Sequence, residues 1–210
     1  MNHEIYVFGS VVRGEVSQTS DIDVLVIPTG GSRADYPASW SVYSPETIES
    51  YFRAGRLFAW HLHLEAQRIY PLEGASFLEE LGEPAPYESA QSDITDLEKI
   101  LMDALLEIRS GTNSLIYELG IAYTAIRDIA MSASWMLLEK PDFSRYTPYA
   151  LPVVCPLPID TYRGAMLARH QATRGTAYPF NSQVIAAQLI AAPILDWVGD
   201  VRRAIWPTHS

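Results

Sequence analysis

The stretch Phe8-Gly9-Ser10-Val11-Val12-Arg13-Gly14, followed after five residues by Ser20-Asp21-Ile22-Asp23-Val24, decides how this 210-residue chain is read. Upstream of it, Glu4 to Phe8 (EIYVF) is β-branched and aromatic and stops at Gly9-Ser10, the pattern of a strand running into a tight turn. Downstream, Asp21 to Ile27 (DIDVLVI) reads as a second strand, ended by Pro28 and Gly30-Gly31. Ile22, Val24 and Val26 alternate with Asp21, Asp23 and Leu25, so the two aspartates share a face, two residues apart. Carboxylates so placed suit magnesium, which takes a few carboxylate oxygens and fills its shell with water and phosphate oxygens. Gly9-Ser10 lets backbone N–H groups and a hydroxyl approach a phosphate. Arg13, one turn on, can bond a phosphate or clamp Asp21.

Taken singly, an Asp-x-Asp or a Gly-Ser says little. In the order strand, Gly-Ser, Arg-Gly, spacer, Ser-Asp-x-Asp, strand, they close around one point. The whole resembles the signature of the minimal nucleotidyltransferases of the DNA polymerase β superfamily, shared by the kanamycin nucleotidyltransferase and by the antitoxin partners of HEPN toxins. Gly9, Ser10, Arg13, Gly14, Ser20, Asp21 and Asp23 fill every signature position. The resemblance covers about residues 4–70 and implies an α+β fold: a small mixed β-sheet nucleotidyltransferase core in residues 1–75, followed by a C-terminal helical bundle in residues 90–210. It implies magnesium-dependent transfer of a nucleoside monophosphate from an NTP, ATP first, to a small-molecule or protein acceptor. Asp21 and Asp23 are then the catalytic metal ligands, and Gly9, Ser10, Arg13 and Ser20 bind the nucleotide.

One departure stands out. The superfamily usually carries a third carboxylate on the next core strand, here Trp40-Ser41-Val42-Tyr43, which has none. Asp35 and Glu46 flank it, in a loop and at a helix start, where surface charge or capping accounts for them. Glu65, four residues after His61 on the following helix, is the remaining catalytic candidate, as half of an acid–base pair. Without a base on the core strand, a second expectation stands: a nucleotide- or protein-binding module, such as an antitoxin or regulatory subunit.

The rest of the chain reads as helix. Ser44-Pro45-Glu46-Thr47 is a helix start, leading to about Arg68 with a break near Gly55. Residues 71–92, with three prolines, read as a linker. Helices are then expected at Asp93–Ser110, Ser114–Leu138, Asp160–Arg174 and Asn181–Ile205, the last kinked at Pro193, with the five prolines of residues 141–160 forcing an irregular excursion. Arg127, Arg169 and Arg174 on these helices could face a triphosphate, and the C-terminal helices are expected to lack the Arg-x4-6-His motif of HEPN ribonucleases, Arg127 being followed by no histidine at that spacing.

A formal net charge of −10 disfavours a duplex-coating surface and hints at cationic acceptors. Cys155, the lone cysteine, allows no internal disulfide. The N-terminus shows no basic region before an apolar run, and Val184–Leu195 is too short to span a bilayer. A soluble cytoplasmic protein that can form a homodimer is the expectation.

Overall fold

The computed structural model describes residues 3–15, 22–28, 36–71 and 73–207. The chain divides into two units, Met1–Ser89 and Ala90–Ser210, and the fold is α+β, a small mixed sheet followed by helices.

In the first unit, β1 (His3–Phe8) lies antiparallel to both β2 (Asp23–Pro28) and β4 (Gln67–Tyr70), and β2 pairs parallel with β3 (Ser41–Val42). The strand order is therefore β3-β2-β1-β4. Val24 to Ile27 are all buried, not every second residue, so both faces of β2 are covered. The alternation still sorts the faces. Leu25 and Ile27 join Tyr6 and Phe8 in a core with Ile48, Phe52, Ala59, Leu62 and Leu78. These come from α1 (Pro45–Arg53), α2 (Leu57–Glu65) and α3 (Phe77–Leu81).

Ser44 caps α1 as its sequence requires, its hydroxyl accepting from Thr47 N at 3.3 Å. The break near Gly55 separates α1 from α2. The helix does not continue to Arg68, however: Ala66 is extended and Gln67–Tyr70 forms β4 on the edge of β1. The apolar residues there could not reveal this, since four residues fit either period and β1 offers the hydrogen bonds that decide the matter.

The proline-rich segment after β4, read as a linker, is packed. Its helix α3 carries a capping box made by Ser76 and Glu79. Ala85 donates to the Phe52 carbonyl and accepts from the Trp60 indole, both at 2.9 Å. Tyr6 reaches into the same segment from β1: its hydroxyl bonds Glu4 and Ser76 (2.8 Å) and accepts from Leu78 N at 3.3 Å. Burial and the Glu4 contact push its pKa up to about 12. Tyr6→Phe strands these partners and is expected to lower the stability of this unit by about 1–2 kcal/mol in urea unfolding; an unchanged midpoint would contradict the role.

In the second unit, α5 (Leu115–Leu137) is the central helix, with Leu119, Ile126 and Ile129 fully buried. It packs on α4 (Ala90–Ser110) and α7 (Ile159–Arg174), with α8 (Ser182–Ala191) and α9 (Ile194–Ile205) completing the core. The proline-rich excursion before α7 includes the short α6 (Thr147–Ala150). Side chains satisfy carbonyls there that no helix can: Tyr162 donates to Arg145 (2.6 Å), Tyr149 to Leu157 (3.0 Å) and Trp197 to Val153 (2.8 Å). Cys155 is buried within it, which pushes its thiol up to about 11. Among the described residues no single helix is long and apolar enough to cross a membrane; α8 and α9 pass such a test only as a pair bent by 49°.

Candidate functional site

Where β1 ends, the chain turns through a short 3-10 segment, Gly9–Val11, in which Gly9 O accepts from Val12 N (3.1 Å) and Arg13 N (3.2 Å). Glu15 N closes the loop on Ser10 O at 2.8 Å, and Gly9 and Ser10 are buried. Across the β1–β2 ladder Phe8 faces Asp23, so the face that carries Phe8 and Leu25 into the core ends in an exposed carboxylate.

That carboxylate lies over the glycine. A Cβ at Gly9 would stand 2.5 Å from Asp23 Oδ2, and Gly9 has φ +73°, which L side chains rarely adopt. Only glycine fits both demands. Ser20 and Asp21 lie outside the described residues, as does Asp35.

Arg13 turns back toward α2. Its Nη1 is 2.5 Å from Glu65 Oε2 and its Nε 3.0 Å from Glu15 Oε2. The same Glu65 oxygen meets His61 Nε2 at 2.9 Å, and the His61 ring stands edge-on to Phe8 at 5.3 Å. Glu65 thus ties the last turn of α2 to the turn that follows β1. This link, across 52 positions, had no trace in the local sequence beyond the His61–Glu65 spacing. Glu46 stays at the start of α1, held below the ordinary carboxylate range by the Ser44 hydroxyl.

Burial alone would raise the Glu65 pKa, but His61 and Arg13 together outweigh it and hold the carboxyl below its ordinary value. Its contribution to stability is therefore fully present above the unfolded value of about 4.3 and is lost as the pH falls through the lower folded value. Glu65→Gln is expected to cost about 1.5–3 kcal/mol at neutral pH and to flatten the acid limb of the stability profile, read by urea unfolding across pH. Parallel profiles for variant and wild type would contradict the described pairing.

The described part of the site is a glycine turn with the Asp23 carboxylate of the next strand laid on it, and Arg13 bonded through its backbone to Gly9. Residues 2–73 match the family model of the nucleotidyltransferase domain. This segment is a nucleotidyltransferase domain. No curated protein matches the chain closely enough to count as a relative. The nucleotidyltransferase domain fills most of the first unit, and the general chemistry of the family is nucleotidyl transfer.

Among the described residues no group of three His, Cys, Asp or Glu side chains is placed to hold a metal. Outside the nucleotidyltransferase domain, Arg127 pairs with Asp128 at 2.7 Å, Arg169 lies at the crossing of α7 on Gly120, and Arg174 ends α7. The Arg-x4-6-His spacing sought after Arg127 does occur on α7, where six residues separate Arg163 from His170. Arg163 is exposed there and lies 3.5 Å from Asp160.

Proposed function

We propose that this chain transfers a nucleoside monophosphate from a nucleoside triphosphate, ATP first, to a small-molecule or protein acceptor, with magnesium held by Asp21 and Asp23. The observation that carries the reading is the Asp23 carboxylate seated on the Cβ-free side of Gly9, which brings acid and glycine turn to one point. An exposed carboxylate oxygen is a donor of the kind a hard, partly hydrated cation takes. When bound, the ion would neutralise the triphosphate and orient an in-line attack.

The chain's own groups prepare that point. Gly9 leaves room for Asp23, while Ser10 and Ser20 supply hydroxyls for the phosphates. Glu65 acts through its partners: it keeps its charge and aims Arg13, whose Nη2 has no partner among the described residues and is available to an anion. Pure protein incubated with magnesium and each of the four NTPs should slowly release pyrophosphate, with water taking the nucleoside monophosphate in place of the acceptor, and Asp21→Asn should stop it. Absence of release and of nucleotide binding with all four would contradict the reading.

A second reading has its own support. β3 carries no carboxylate, and the Glu65 oxygen is committed to Arg13 and His61. A domain with no base to deprotonate an acceptor would bind nucleotide or protein without turnover, as an antitoxin or regulatory subunit does. Magnesium-dependent nucleotide affinity with no product over hours would select it.

A further inference from the structure

The seam between α5 and α7 gathers positive charge. The two helices cross so closely that a Cβ at Gly120 would lie 2.8 Å from the Arg169 α-carbon. On α5, Gly120, Tyr123 and Arg127 follow the spacing i, i+3, i+7, which places them on one face; on α7, Tyr162, Met166 and Arg169 do the same at i, i+4, i+7.

Aromatic contacts tie Arg127 to Tyr162 across this seam. The Arg127 guanidinium stands 5.7 Å from the Tyr123 ring centre, and that ring lies 5.1 Å from Tyr162. The Tyr162 hydroxyl in turn holds the Arg145 carbonyl at 2.6 Å, fixing the Arg145 backbone at the same end. His170, next to Arg169, is partly buried; burial first, then the charges of Arg145, Arg169 and Arg127, makes it harder to protonate. Asp128 answers Arg127, but the Arg169 guanidinium makes no hydrogen bond or ion pair among the described residues. Like charges held in one another's field raise the energy of the ligand-free unit, and an anion lowers it. From Tyr162 to Arg169 the helix rises about 10 Å, a length that suits a row of phosphates better than a single one.

We propose that the helical unit binds an oligophosphate anion along the α5–α7 seam, through Arg127, Arg145, Arg169 and His170. The binding is independent of the transfer reaction proposed above. It needs neither Asp23 nor turnover.

Titration calorimetry of the full chain with inorganic triphosphate, in the absence of divalent metal, tests it. Wild type should show saturable binding, Arg169→Gln should weaken it at least about tenfold, and Arg169→Lys should recover part of the loss. Arg127 packs on Tyr123 and pairs with Asp128, so its replacement risks unfolding the unit. His170→Asn serves instead as the second variant and should also weaken binding, with melting temperatures confirming that both variants fold. ATP that Arg169→Gln weakens in step with triphosphate would show that the seam reads the phosphate chain and supports the site; triphosphate binding that survives Arg169→Gln and His170→Asn would belong to the first unit and count against it. Absence of saturable binding, or equal affinity in wild type, Arg169→Gln and His170→Asn, would overturn it.

Discussion

Asp23→Asn is expected to lower nucleotidyl transfer at least about a thousandfold while leaving the fold intact. Asparagine keeps the shape of the side chain and removes the charge that a divalent cation needs. Asp23 is exposed at the start of β2 and asparagine keeps its shape, so the change in stability should stay within about 1 kcal/mol. Single-turnover product formation at saturating magnesium and NTP, with a melting curve beside it, separates the two effects. A variant within about tenfold of wild type would contradict the proposed role of Asp23 as a metal ligand.

Gly9→Ala should rank next. Its backbone, at φ +73°, imposes about 1–2 kcal/mol on any L side chain. The larger consequence is steric, because the new methyl would stand 2.5 Å from Asp23 Oδ2 and push the carboxylate off the turn. A displacement near 1 Å in a reacting constellation costs about a hundredfold in rate. Gly14→Ala is the control. Gly14 has φ +71° with nothing within 4 Å of an added Cβ, so it carries the backbone strain without touching Asp23. Equal rates for the two variants would mean that the Gly9–Asp23 contact has no part in the chemistry.

The sequence displayed the parts of the site that are local. Gly9-Ser10 ends β1 and Asp23 opens β2 because strand and turn chemistry act over a few residues, and the period of two carries Asp23 to the face of Phe8. The helical unit was legible for a similar reason: long 3.6-residue periods placed the α4, α5 and α7 boundaries within a few residues. What stayed hidden depends on distant partners. β4 is four residues long and exists because β1 has an open edge, and α3 is held by Tyr6 and Glu4 from the far end of the sequence. The Arg13–Glu65 pair joins a loop to a helix end that no spacing rule connects. The sequence suggests phosphate or Asp21 as the partner of Arg13, whereas its described partners are Glu15 and Glu65.

Metal binding beside the glycine turn can be measured without turnover by electron paramagnetic resonance of manganese(II) with a non-hydrolysable ATP analogue. Wild-type protein should immobilise manganese only when the nucleotide is present, and Asp23→Asn should leave the ion free in solution. Manganese held equally by both proteins, or by neither, would contradict a catalytic cation at Asp23.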